Sequence, residues 1–268
     1  MSAPRKRLND LTGSEWKFWS RSVISKVYPP DLQHALRREH GGQKPPRLCA
    51  DLIKVFTHEG ERVLDPLAGV GGTLLGATLC GREALGVELN PRWAEIYREV
   101  CALEKLSEQE LRVGDARREV PLLPPESFQF VLTDLPYWNM DKLAKTRSRK
   151  AARSHLASFG EGEGRPLEEW LAEMTEILRA SAAALAPRRY MAVFIGDLYR
   201  GDRFYQLGAA VARALDGDGL LLKANLIWYD VSKSLHVYGY PCAFVPSLVH
   251  QNILIFRKDG AIPPTPGT

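Results

Sequence analysis

At 268 residues, with 45% hydrophobic and 25% charged side chains, the chain has the composition of a soluble globular protein and the length for one large α/β domain or two small ones. Its net charge is only +4, its four cysteines (Cys49, Cys80, Cys101, Cys242) are scattered without a CxxC pair, and no apolar run approaches the ~20 residues of a membrane span. These features argue against a disulfide framework, structural zinc and membrane insertion; the basic start is followed by no apolar signal region, and a cytoplasmic protein is expected.

The charge is unevenly placed. Residues 1–47 hold ten Lys/Arg against four acids, and residues 139–153 hold six against Asp141 alone. Two basic segments beside a near-neutral body suggest a polyanionic partner, although charge runs are also common on plain solvated loops.

In chain order, residues 1–47 read as a basic arm with aromatics (Trp16, Phe18, Trp19), broken by Pro29-Pro30 and Gly41-Gly42, with a short helix over 32–40. Apolar residues at 48, 52, 53, 55 and 56 have a helical spacing, and 62–65 is a first strand. Strand and helix then alternate. A glycine turn at 69–73 opens a helix to Leu79, 84–89 is a second strand, Pro91 heads a helix over 91–106, 111–113 is a third strand and 127–133 a fourth. The Ser, Lys, Arg and Gly content of 139–164 predicts a mobile loop. An amphipathic helix over 166–186, a fifth strand at 190–194, a helix over 204–215 and strands at 220–229 and 252–256 follow. Between the last two, 231–250 reads as a hairpin or long loop, and 261–268 as a flexible tail. The alternation predicts an α/β fold, doubly wound, with a mostly parallel seven-stranded sheet. The last two strands have no helix between them, so one antiparallel strand is expected near the C-terminus.

Chemistry concentrates at the strand ends. Asp65-Pro66-Leu67-Ala68-Gly69-Val70-Gly71-Gly72-Thr73 follows the first strand, and its glycines allow close backbone approach and expose helix N-terminal amides. Asp65 disfavours a phosphate cradle, and the turn has no P-loop lysine. Glu88, in Glu88-Leu89-Asn90 at the end of the second strand, is placed to accept both hydroxyls of a ribose. Asp115, before Ala116, could accept from an adenine amino group. Three acids at successive strand ends describe a ribose-and-adenine site without phosphate capture, which fits S-adenosylmethionine better than a dinucleotide. The fourth strand ends in Asp134-Leu135-Pro136-Tyr137-Trp138, a carboxylate followed by flat rings. Alone, Asp134 could be a helix cap and the two rings core residues.

Taken together, these motifs resemble the amino-methyltransferases of DNA that act on adenine N6 or cytosine N4, over nearly all of 44–258. Lys44-Pro45-Pro46 is similar to the family segment that helps hold the methionine moiety, Asp65–Thr73 to its glycine motif, and Asp134–Tyr137 to its catalytic Asp/Asn/Ser-Pro-Pro-Tyr motif with Leu135 in place of the first proline. The resemblance implies a Rossmann-like methyltransferase fold, S-adenosyl-L-methionine as cofactor and no metal. It also implies double-stranded DNA as partner, with a second copy of the chain as another candidate, and a base flipped out of the duplex in a restriction-modification or orphan setting. Cofactor contacts are implied for Lys44, Pro45, Asp65, Pro66, Ala68, Gly69, Gly71, Thr73, Glu88, Leu89, Asn90, Asp115 and Ala116. Catalysis is implied for Asp134, the Leu135 carbonyl, Pro136 and Tyr137.

An exocyclic amine is a poor nucleophile because its lone pair is delocalised into the ring. A carboxylate and a carbonyl accepting both N–H groups favour a tetrahedral nitrogen and stabilise the charge that develops on it. Tyr137 would stack on the extruded base, with Trp138 as a second wall. Lys142, Lys145, Arg147, Arg149 and Lys150, directly after the motif, would meet phosphates, and Lys233 lies in the other segment assigned to DNA contact, 231–250. Trp228 resembles part of a base-pocket motif and reads equally as a core aromatic. The expected organisation is an arm (1–47), a catalytic domain (48–260) and a tail. By the resemblance, Asp at position 134 implies adenine N6 over cytosine N4. The alternatives are RNA guanine-N2 or protein glutamine methylation, or a non-catalytic nucleic-acid-binding subunit.

Overall fold

The computed structural model describes residues 7–138, 165–200, 203–236, 238, 240–260 and 262. Its elements, in chain order, are α1 (Gly13–Trp19), β1 (Val23–Ile24), α2 (His34–Arg37), α3 (Pro46–Phe56), β2 (Arg62–Asp65), α4 (Gly72–Leu79), β3 (Glu83–Glu88), α5 (Pro91–Glu104), β4 (Glu110–Val113), α6 (Ala116–Glu119), β5 (Phe128–Asp134), α7 (Leu167–Ala184), β6 (Leu185–Ile195), β7 (Leu198–Arg200), β8 (Arg203–Tyr205), α8 (Leu207–Leu215), β9 (Leu220–Tyr229) and β10 (His250–Lys258). The strand order is β1-β9-β10-β6-β5-β2-β3-β4, with β7 and β8 in a separate hairpin. β4, β3, β2, β5 and β6 are mutually parallel, and β10 is antiparallel to both β6 and β9. The seven expected strands and the single antiparallel one are all present. A two-residue eighth strand, β1, comes from the basic arm and pairs parallel to β9.

The chain runs outward from β2 through β3 to β4, then returns to place β5 on the other side of β2. A crevice therefore opens at the carboxyl ends of β2 and β5, where ligands bind in open α/β sheets. Strand alternation builds a core on each face. Phe130, Leu132, Ala192, Phe194, Ile253 and Ile255 meet α3, α4 and α5, while Val131, Met191, Val193, Ile195, Leu254 and Phe256 meet α7 and α8. α3 buries Leu48, Cys49, Leu52, Ile53 and Phe56 and lies against α4, where a Cβ on Gly76 would come within 2.8 Å of Ala50 N.

Two segments differ from the sequence expectation. The helix expected over 204–215 begins only at Leu207, because Phe204 belongs to the β7–β8 hairpin and pairs with Tyr199. α7 ends at Ala184 and β6 starts on the next residue, so Leu185 and Ala186 are strand. The described residues of 231–249 form no regular element but hold an antiparallel bridge between Tyr238 and Val245, and His250 already belongs to β10. Among the described residues no helix is long and apolar enough to cross a membrane.

Candidate active site

A cleft at the crevice is bordered by Asp65, Gly69, Glu88, Asp134, Pro136 and Tyr137, and across it by His40, Gln43 and Lys44. Each acid owes its place to a strand end. Asp65 closes β2 and Asp134 closes its neighbour β5, with Leu64 paired to Val131. Thr133 Oγ1 ties the two strands by donating to Asp65 Oδ1 at 2.8 Å, and Thr73 Oγ1 of α4 donates to Leu132 O of β5 at 3.3 Å. Asp65 also accepts from Leu67 N at 3.1 Å. Burial pushes its carboxyl up to about 6, and the hydrogen bonds from Thr73, Thr133 and Leu67 keep it from rising further.

Glu88 accepts from Asn90 N at 2.7 Å and from Gly69 N at 2.8 Å, so the glycine turn and the β3 acid form one corner. Burial raises its carboxyl to about 7 against these two donors, and the Asp65 charge adds to the rise. Gly69 takes φ +52, and a Cβ there would approach His40 Nε2 at 3.2 Å. Gly71, at φ +77, caps α4, and a Cβ would fall 2.2 Å from the Tyr97 ring; it shapes the turn from beneath instead of bordering the cleft.

Asp134 is the catalytic candidate. Burial raises its carboxyl and the adjacent Lys44 ammonium, which donates to Oδ2, lowers it. Its Oδ1 is buried and has no partner among the described residues. Tyr137 lies across Gly196, where a Cβ would meet its ring at 2.7 Å, and its hydroxyl accepts from Gln251 Nε2. Burial holds that phenol well above its ordinary range. Leu135 is buried in the core, and its N–H donates to Phe194 O at 3.1 Å, while Pro136 O accepts from Trp170 Nε1 at 3.0 Å. The main chain at the cleft is thereby clamped to β6 and α7.

Pro66, Ala68, Thr73, Leu89 and Ala116 also border the cleft. Several other expected contacts sit elsewhere. The Asp115 carboxylate is engaged by Arg117, accepting from its main-chain N at 2.9 Å and from its guanidinium at 2.6 Å, and it does not border the cleft. Gly114 and Ala116 border the cleft in its stead. Asn90 caps α5 by accepting from Arg92 N at 2.9 Å. Lys44 lies against Asp134, not free in the cofactor half, and Pro45 borders a second cavity beyond it. Trp138 is not a wall: it is buried, packs edge-on against Tyr205 at 5.0 Å and donates from Nε1 to Arg165 O at 2.7 Å. Trp228 packs edge-on against Phe194 and also borders the second cavity. Lys233 is exposed, yet its ammonium lies close enough to protein that desolvation, joined by the Lys44 charge, lowers its pKa. Lys142, Lys145, Arg147, Arg149 and Lys150 fall outside the described residues.

Sequence reasoning passed over His40, Thr133, Gln251 and Gly196. His40 stands edge-on to Trp93 with ring centroids 5.2 Å apart, and burial lowers its pKa to about 4, so the ring is neutral at ordinary pH. Its place four residues before Lys44, across Gly41-Gly42, was the available signal.

A family signature described as DNA methylase, of the N6/N4 class, matches residues 6–99, the stretch that carries Lys44, the glycine turn and Glu88. Over that stretch, about a third of its length, the chain is similar to the N6/N4 DNA methylases. Its similar proteins include the tRNA (guanine(10)-N2)-dimethyltransferase of Methanothermobacter thermautotrophicus, 30% identical over 51% of this chain and 40% of that protein. The counterpart enzyme of Pyrococcus abyssi is 26% identical over 45% and 36%. The type II methyltransferase M2.DpnII of Streptococcus pneumoniae is 33% identical over 35% of this chain and 32% of its own length. The chain thus spans well under half of these relatives. TrmN from Thermus thermophilus shares the fold, with a TM-score of 0.54 and 19% identity over 83% of this chain and 52% of that one.

S-adenosylmethionine is the cofactor expected from the motifs. The site's own chemistry fits it. Two carboxylates, Asp65 and Glu88, line the cofactor half, a hostile setting for a pyrophosphate and a favourable one for ribose hydroxyls and a cationic sulfonium.

Proposed function

We propose that the protein methylates an exocyclic amino group of a nucleic-acid base, with adenine N6 of double-stranded DNA as the first substrate. The observation that carries this reading is Asp134: a carboxylate at the crevice, one oxygen buried without a partner among the described residues, beside the clamped Leu135 main chain and the Tyr137 ring. Bound S-adenosylmethionine supplies an electrophilic methyl on sulfur. Asp134 and the Leu135 carbonyl accept the two N–H groups of the target amine, align its lone pair and stabilise the charge that grows on nitrogen. Asp134 then takes up the proton that the methylated nitrogen must lose. Tyr137, fixed by Gln251, stacks on the extruded base. In this reading 48–260 performs the transfer, while 1–47, 139–164 and 231–250 contact the nucleic acid.

A second acceptor has its own support. Guanine N2 is also an exocyclic amine conjugated to a ring, and the tRNA (guanine(10)-N2)-dimethyltransferases match about half of this chain. The same Asp134 grip serves both. Methyl-labelled cofactor offered with duplex DNA, tRNA and protein in parallel, followed by nucleoside chromatography, decides between them. N6-methyladenine in DNA is expected, and Asp134→Ala should abolish it while cofactor affinity stays within about threefold. Label confined to RNA would overturn the DNA reading, and loss of cofactor binding together with transfer would overturn the role given to Asp134.

A further inference from the structure

Lys44 is 6% exposed, and its ammonium donates to Asp134 Oδ2, lies 3.4 Å from Gly42 O and sits 5.4 Å from the Phe194 ring centroid. A carboxylate, a carbonyl and an aromatic face around a cationic nitrogen form the surroundings that a methyl-accepting nitrogen needs as it gains charge. Lys44 also stands on a boundary. It borders the cofactor cleft on one side and, on the other, a second cavity walled by Tyr28, Pro45, Trp228 and Asp230. Its main chain is held, because the buried guanidinium of Arg37 donates to Lys44 O at 3.3 Å as well as to Leu32 O and Asp31 O. Only the side chain is left to turn.

We propose that Lys44 is a positioning residue with two stations. On Asp134 it keeps the carboxylate ionised and oriented and stands in the place of the target nitrogen; the arriving amino group displaces it into the second cavity, toward Asp230. The proposal rests on Asp134 being the amine acceptor of the reading above.

The charges around Asp134 make the first station necessary. Asp65 faces it from the end of β2, Cys49 from α3 and Tyr137 from the next turn of chain. None of these supplies a positive charge, and Asp65 is a like charge when ionised. His40, on the Lys44 side, is neutral; Lys233 and the Arg37 guanidinium are the other cations near Lys44. A buried carboxylate without Lys44 takes up a proton, and a protonated Asp134 has lost part of its capacity to accept from the amine.

Lys44→Met in the full chain is the test, with Lys44→Arg as the variant that keeps the charge. Methyl transfer across pH, acceptor KM and calorimetric cofactor affinity are measured for each. For Lys44→Met the acidic limb of kcat should move up by about one pH unit or more, with cofactor affinity within about threefold of the parent. Lys44→Arg should return the limb close to its original place. Methylammonium ion should inhibit Lys44→Met in competition with the acceptor and leave the parent unaffected at the same concentration. An unmoved limb without methylammonium inhibition overturns the proposal. So does a tenfold loss of cofactor affinity with limb and acceptor KM unchanged, which would place Lys44 with the methionine moiety. If no acceptor is methylated by the parent chain, the functional reading fails. Carboxyl-carbon NMR of Asp134 then still tests the pairing, because equal titration in parent and Lys44→Met overturns it.

Discussion

Affinity for S-adenosylmethionine should fall about tenfold between pH 8 and pH 6, through Glu88. Burial raises its carboxyl to about 7, and the cleft places it where it would accept the ribose hydroxyls. With that value the ionised fraction drops from about nine-tenths at pH 8 to about one-tenth at pH 6. Only the carboxylate accepts from both hydroxyls. Binding therefore draws the pKa down and releases a proton whenever the free protein begins protonated. The sign follows: affinity is full above about pH 7 and is lost as pH falls through it. Calorimetry at pH 6, 7 and 8, in buffers of different ionisation enthalpy, reads both the affinity and the proton release. Glu88→Gln removes the titration while keeping the shape. It should weaken binding roughly 10- to 100-fold at pH 8, as one charge-assisted hydrogen bond of about 1.5–3 kcal/mol is lost, and should flatten the pH dependence. Both proteins face the same ionisation of the ligand, so the difference between their profiles isolates Glu88. Equal slopes in the two, or no proton release near pH 7, would refute the reasoning.

Three further outcomes follow from contacts around the cleft. Thr133→Val removes the 2.8 Å hydrogen bond to buried Asp65 at almost constant volume. It should cost about 2 kcal/mol in urea unfolding at pH 8 and less at pH 5, where an acid titrating at about 6 is already protonated. Arg37→Met strands three carbonyls served by a fully buried guanidinium and should cost about 3 kcal/mol or more, with faster proteolysis within residues 28–45 as a second readout. Gly71→Ala sets a Cβ 2.2 Å from the Tyr97 ring at φ +77 and should cost about 3 kcal/mol, against well under 1 kcal/mol for Gly13→Ala, where nothing lies within 4 Å.

The legible part of the site was the part set by strand ends. Asp65, Glu88 and Asp134 each follow an apolar run, and a parallel sheet carries such residues to one edge regardless of detail. What escaped was competition and direction. Asp115 ends its strand as expected, but Arg117, two residues on, captures the carboxylate locally. Tyr137 and Trp138 are neighbours packed on the same core cluster, yet Tyr137 borders the cleft and Trp138 is buried with α7. No periodicity marks which. β1 is two residues long and has no pattern to detect; it exists because β9 offers it an edge. His40 and Lys44 reach the cleft through tertiary packing of the arm, held by Arg37, and spacing alone says nothing of that.

Leu135 is where the chain departs from the family's proline, and the fold gives the departure a physical sense. A proline has no N–H, so the strand would lose its last ladder bond beside Asp134. Leucine keeps that donor, and its bond to Phe194 O carries the β5–β6 pairing one residue beyond Asp134, while its side chain fills the core under the cleft. The carbonyl assigned to the target amine is thus anchored from both sides, by the Leu135 N–H and by the Pro136 carbonyl on Trp170. Two hydrogen bonds and a buried side chain hold this stretch of main chain. On the proposed reading, Tyr137 with Gln251 on one side and Lys44 on the other flank the amine and bear on which base is held there.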